Sequence, residues 1–92
     1  MYKLYYTNRM KRDVKRILKR GKDINKLNKV LNLLIQNGSL PKEYLDHQLT
    51  GNLKDFRECH IENDWLLMYQ IIEDELIITA TSTGSHSDIF GK

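Results

Sequence analysis

LKDFRECHIENDWLLMYQIIEDELIITAT, residues Leu53–Thr81, reads as three successive strands. Leu53 to Ile61 alternates apolar and polar positions, Asp64 to Ile72 is more apolar, and Glu75 to Thr81 contributes Leu76, Ile77 and Ile78. Such segments suit a pleated, half-buried surface, and the polar pairs Glu62-Asn63 and Glu73-Asp74 supply the turns. Strands joined by turns this short form an antiparallel meander. Alternation divides one segment between two faces: Phe56, Glu58 and His60 on one, Arg57, Cys59 and Ile61 on the other.

Upstream the period changes. From Arg9 to Arg20 the apolar residues Met10, Val14, Ile17 and Leu18 recur at helical spacing, with Thr7 and Asn8 able to cap the start and Gly21 placed to stop it. A second helix is expected from Asp23 to Asn37-Gly38, with Ile24, Leu27, Val30, Leu31, Leu34 and Ile35 along one stripe; the two should form a hairpin. Tyr2 to Tyr6 suits a short strand with Tyr2, Leu4 and Tyr6 on one face. Ser39 to Asn52 reads as mostly loop, and the tail from Ser82 carries a late Ile89-Phe90 expected to dock back on the sheet. The predicted order is a strand, two helices and a three-strand meander, an α+β fold in one domain over residues 1–92.

The composition is that of an ordinary globular chain, 40% hydrophobic and 29% charged. No apolar run approaches the roughly 18 residues of a membrane span, so no membrane partner is expected. Met1 to Tyr5 leads into polar residues instead of an apolar leader, and the single Cys59 cannot make an internal disulfide; both fit a cytoplasmic protein. The net charge of +3 hides an asymmetry: residues 1–30 hold 11 Lys/Arg and 2 Asp/Glu, net +9, whereas residues 31–92 hold 4 and 10, net −6. A surface this positive attracts a polyanion, nucleic acid or an acidic protein, although a merely solvated helix face stays open.

His47, His60 and His86 all fall in the second half, each within a short polar cluster. Histidine titrates nearest to neutral pH, so several in one cleft can take and give protons without a metal. Adjacent Cys59 and His60 lie on opposite strand faces and the histidine separations match no structural zinc pattern, which argues against a metal site. Metal-free RNA cleavage needs a base for the 2′-hydroxyl proton, an acid for the leaving 5′-oxygen and a cation against the phosphorane. Asp64 can orient a histidine or serve as a turn residue; Trp65 and Phe90 can stack a base or fill the core; Arg57 can bind phosphate or form a structural bridge. Each histidine taken singly is a weak signal, and only their joint occurrence with Asp64 and a basic helix points to catalysis.

Three motifs in order, Asp46-His47-x-Leu49-x-Gly51, Phe56-Arg57-Glu58-Cys59-His60-Ile61-x-x-Asp64-Trp65 and Thr83-Gly84-Ser85-His86-x-x-x-Phe90, resemble the YafQ branch of the RelE-type toxins of bacterial toxin–antitoxin systems. The likeness covers essentially the whole chain. It implies a RelE-like microbial ribonuclease fold and a ribosome-dependent endonuclease that cuts message in the decoding site without metal or cofactor. The implied partners are the 70S ribosome and its message, a RelB- or DinJ-like antitoxin, and operator DNA reached only through that antitoxin. By the same resemblance His86 is the general acid, His47 the general base, and His60 with Asp64 positions or binds message. The resemblance also implies that Trp65 and Phe90 bind substrate and that the basic helix, with Arg9, Lys11, Arg12, Lys15, Arg16, Lys19 and Arg20, faces ribosomal RNA; Arg57 and Lys54 are further substrate-binding candidates from their charge.

One position departs from the family pattern. Relatives often carry an arginine four residues before the last histidine, and this chain has Ser82, which cannot neutralise phosphate. Arg57, Lys54, ribosomal RNA or ions would have to take its place. That departure motivates the alternative of a non-catalytic ribosome-binding module or an antitoxin-dependent corepressor.

Overall fold

Three antiparallel strands occupy the Leu53–Thr81 run and extend beyond it. In the structure, a computed structural model that describes residues 1–91, the elements in chain order are β1 (Lys3–Tyr6), α1 (Asn8–Lys19), α2 (Ile24–Asn37), β2 (His47–Gln48), β3 (Arg57–Glu62), β4 (Trp65–Ile72), β5 (Ile77–Gly84) and α3 (His86–Phe90). Residue 92, the last of the expected domain, lies outside the described residues.

The two long helices start and stop where side chains satisfy their free backbone groups. Thr7 Oγ1 accepts from the Met10 amide (3.0 Å) and donates to the Thr81 carbonyl (2.7 Å), so one hydroxyl caps α1 and ties it to β5. Asp23 caps α2 through the Asn25 amide (2.9 Å), and Gly38 ends it at φ 68°. Glycine is required there twice over, because a Cβ at Gly38 would stand 2.6 Å from the Tyr2 hydroxyl.

The sheet has five strands in the order β1-β5-β4-β3-β2, with β1 parallel to β5 and every other pairing antiparallel. This exceeds the expected meander in three respects. β1 joins the sheet edge beside β5; His47–Gln48, placed in a loop from sequence, pairs with Glu58 and Arg57; and the tail extends β5 to Gly84 before forming α3.

Met10 and Ile17 of α1, with Leu27, Val30, Leu31 and Leu34 of α2, pack on one sheet face against Cys59, Trp65, Leu67, Tyr69, Ile78 and Ala80. The opposite face carries a smaller cluster of Leu66, Met68 and Ile89, flanked by Leu49, Phe56 and Phe90. Ile89 thus docks on the sheet as expected. β4 is apolar from Trp65 to Tyr69 because it is buried on both faces there. A bulge in β5 sets Ser82 against Met68 but Ala80 against Tyr69, leaving Thr81 as the extra residue. The slip turns Thr83 toward the helices and Ser82 toward the smaller cluster.

Candidate active site

The smaller-cluster face of the sheet also bears the histidines, and a buried carboxylate stands between two of them. Glu58, only 4% exposed, has Oε1 3.9 Å from His60 Nε2 and 3.9 Å from His86 Nε2, while the two rings meet edge to face with centroids 6.0 Å apart. Glu58 and His60 share this face by strand alternation; His86 reaches it from the first position of α3. The register places His47 directly opposite Glu58 on the neighbouring strand, so its side chain leaves the same face.

Two hydrogen-bonding arrangements decide what the outer rings can do. Asp64 Oδ1 accepts from the His86 amide (3.1 Å) and from His86 Nδ1 (2.8 Å). These bonds, that from the ring foremost, hold the Asp64 carboxyl below the usual carboxylate range. A proton on Nδ1 leaves Nε2 facing the Glu58 side of the cleft. His47 Nδ1 lies 2.8 Å from the Leu45 carbonyl, which can only accept. The neutral ring therefore keeps its lone pair on Nε2, the form a base requires. Leu45 itself sits in the left-handed region at φ 52°, a conformation that costs a non-glycine residue about 1 kcal/mol.

Other candidates are placed elsewhere. Trp65 is fully buried on the helix side, its Nε1 donating to Thr83 Oγ1 (3.0 Å) and Lys22 Nζ 5.8 Å from the ring centroid. It presents no face to an unpaired base, because the strand pleat directs it at the helices; of the two readings open from sequence, the core one holds. Phe90 stays beside the site, half-buried and 6.3 Å from the His86 ring. Arg57 projects from the face opposite Glu58 and bridges to Asp46, through Nε at 3.3 Å and Nη2 at 3.2 Å. Tyr69 donates to the other Asp46 oxygen at 2.8 Å. Lys54 lines a separate hollow with Gln48, Asp55, Arg57 and Ile71 that contains no histidine. Neither therefore stands in for the missing arginine within the histidine cluster. Ser82 is wholly buried, and its hydroxyl has no hydrogen-bond partner among the described residues.

The seven cations of α1 and its cap divide into two groups. Lys11, Arg12, Lys15 and Lys19 are exposed. Arg9, Arg16 and Arg20, themselves partly or largely exposed, are engaged with Asp13 and with Asp88 and Ile89 on α3. Spacing alone could not separate the groups, since Asp88 is nearly 70 residues distant in sequence and reaches α1 only through the fold.

Sequence reasoning missed Glu58, whose place on the histidine face was legible from alternation while its burial was not. It also missed a cavity of about 280 Å³ beside His60, lined by Lys26, Lys29, Glu43, Tyr44 and Ile61. Burial pushes the Cys59 thiol up, as befits an inert core residue on the far side of the strand from His60. Among the described residues no group of three or more His, Cys, Asp and Glu is arranged to hold a metal ion, and no helix is long and apolar enough to cross a membrane.

Comparison with known proteins gives one consistent answer. The family model for the bacterial toxin of type II toxin–antitoxin systems, YafQ, matches residues 2–91. The mRNA interferase toxin YafQ of Escherichia coli K12 is 40% identical over 87 residues, covering 94% of this chain and 92% of the relative. The toxin in the E. coli DinJ–YafQ complex superposes with a TM-score of 0.89 at 37% identity, over 99% of this chain and 100% of that one. A metal-bound toxin from Helicobacter pylori does so with a TM-score of 0.89 at 40% identity, over 98% and 100%.

Proposed function

Because this chain belongs to the YafQ family of bacterial type II toxin–antitoxin toxins, we propose that it is a ribosome-dependent endoribonuclease, cutting message in the decoding site by histidine acid–base chemistry without a metal. The observation that carries the proposal is the grouping of His60 and His86 on Glu58, with His47 opposite Glu58 across the strand pair. In this mechanism His47 Nε2 removes the proton from a 2′-hydroxyl, whose oxygen attacks the adjacent phosphorus. His86 acts as the doubly protonated imidazolium, its Nδ1–H held by Asp64. It gives the proton on Nε2 to the departing 5′-oxygen, leaving a 2′,3′-cyclic phosphate on one fragment and a 5′-hydroxyl on the other. Asp64 fixes the orientation of the His86 imidazolium through Nδ1–H, and Glu58 stands beside both rings.

The cation that Ser82 cannot supply comes from the cavity beside His60, whose lining includes Lys26 and Lys29. Lys26 is committed to Glu62, which leaves Lys29 as the residue to bear phosphate charge. The exposed part of the α1 surface binds ribosomal RNA, and the protein works in the cytoplasm, where ribosomes and message are. A DinJ-like antitoxin restrains it and alone contacts operator DNA; the E. coli DinJ–YafQ complex supports this pairing.

The test incubates purified protein with 70S ribosomes and a defined message, with and without chelator. Cleavage that persists in chelator, is lost in His86→Ala while ribosome binding remains, and falls in Lys29→Ala is the expected result. Chelator-sensitive cutting overturns the metal-free mechanism. The buried, unpartnered Ser82 favours one competing reading, a toxin that blocks the decoding site without cutting. Growth arrest that survives His47→Ala and His86→Ala with messages intact would establish it.

A further inference from the structure

α3 has only five residues and would not persist alone, yet it carries the ring assigned as general acid. What holds it comes largely from α1. Arg20 donates to Asp88 through both terminal nitrogens, Nη1 to Oδ2 and Nη2 to Oδ1 (3.2 Å), while Arg16 Nη1 lies 3.7 Å from Oδ1. Arg9 Nη2 reaches the last turn of α3 and donates to the carbonyls of Asp88 (3.1 Å) and Ile89 (2.9 Å), oxygens that a helix end leaves unpaired.

Asp88 also faces the other way. It accepts from the Ser85 amide (2.9 Å) while Ser85 Oγ accepts from the Asp88 amide (3.1 Å), a reciprocal cap around the residue that precedes His86. Gly84 lies against the same carboxylate: its φ is 146°, and a Cβ there would meet Asp88 Oδ2 at 2.7 Å. One residue earlier the Thr83 amide donates to the buried Asp13 of α1 (3.2 Å). The path from β5 into α3 is thus tied to the basic helix at Thr83, Asp88 and Ile89.

We propose that Asp88 is a positioning residue for the cleavage reaction, locking the helix that carries His86 onto Arg20 and Arg16 of the basic helix. Three arginines of that helix and its cap then serve the geometry of the cut, and ribosome binding falls to Lys11, Arg12, Lys15 and Lys19. Because α1 contacts the ribosome and α3 contacts the scissile bond, the clamp sets the distance between the two. The proposal deepens the nuclease reading and rests on it for its kinetic arm only.

The experiment compares Asp88→Asn, Arg20→Gln, their double variant and Asp88→Glu, with Asp74→Asn as a remote control for the same charge change. The asparagine oxygen can still accept from the Ser85 amide, so Asp88→Asn spares the cap while removing the charge and one of the two acceptors that Arg20 uses. The expected result is turnover lowered about 10- to 100-fold, the scale of misplacing a catalytic group by about 1 Å. Ribosome affinity should match the control, and although loss of the ionised Asp88 lowers the melting temperature at neutral pH, each variant should remain fully folded at the assay temperature. The double variant should be no slower than either single, since both break one link, and Asp88→Glu should recover most turnover.

A second arm reads the clamp without catalysis. The Ile89 and Gly91 amides, bonded to the Ser85 and Ser87 carbonyls, should exchange faster in Asp88→Asn, and the His86 Nδ1–H resonance should broaden. Unchanged exchange and resonance, or additive losses in the double variant, overturn the proposal. If wild-type protein cuts no message while the second arm behaves as expected, the nuclease reading fails and the clamp stands.

Discussion

Trp65→Phe separates a core tryptophan from one that stacks on message. The indole is fully buried, and its Nε1–H is donated to Thr83 Oγ1, whose own proton goes to the Leu66 carbonyl at 2.7 Å. Phenylalanine keeps an aromatic ring but removes the donor, at a net cost of about 0.5–1.5 kcal/mol. It also vacates roughly 40 Å³, which at about 24 cal/mol per Å³ adds about 1 kcal/mol. The sum is about 2 kcal/mol. For a domain of this size each kcal/mol lowers the midpoint by about 4–8 °C, so thermal unfolding followed by circular dichroism should shift down by about 8–16 °C. Cleavage per folded molecule, assayed well below that midpoint, should be unchanged. A midpoint within about 2 °C of wild type would refute the packing argument, because a ring held only for stacking on RNA contributes little to the fold.

Three other outcomes follow from the same geometry. Gly38→Ala combines a positive φ with an approach of 2.6 Å to Tyr2, and should lower the urea midpoint by the equivalent of about 1–3 kcal/mol. Lys11→Ala and Lys15→Ala should weaken ribosome binding and reduce its logarithmic salt dependence by roughly 0.7–0.9 for each phosphate no longer neutralised, measured by sedimentation across a salt series. Asp64, Glu62 and Asp88 are each held below the usual carboxylate range, chiefly by hydrogen bonds from His86, Lys26 and Arg20 respectively. Their folded-state pKa values are depressed, so their stabilisation is fully present above the unfolded values near about 4 and is lost as pH falls through the folded ones. Denaturation midpoints should hold steady above that point and decline below it, less steeply in Asp88→Asn.

Much of the site was legible because strands alternate. The division of Phe56, Glu58 and His60 from Arg57, Cys59 and Ile61 survives in the fold and accounts for two outcomes at once: His60 reaches the cleft and Arg57 does not. Glu58 lies on the face that alternation assigns it, yet its role is invisible in sequence, because a carboxylate in a strand reads as solvated until both neighbouring strands and α3 close over it. Ser82 stands out as a departure from the family pattern, but only the bulge at Thr81 shows that it turns into a buried position.

By itself the sequence settled what depends on neighbours along the chain. The helix caps at Thr7 and Asp23, the stop at Gly38, the three-strand meander and the two-faced character of Phe56–Ile61 all follow from periodicity and local hydrogen bonding, which act over a few residues. Tertiary structure decided what depends on distant segments meeting. The parallel seat of β1 beside β5, the pairing of His47 with Glu58, the short helix that delivers His86 and the bonds of Arg9, Arg16 and Arg20 to Asp88 arise between residues far apart in sequence. A long-range pairing is selected by the packing of the whole core, and so it leaves no periodic mark in the residues that make it.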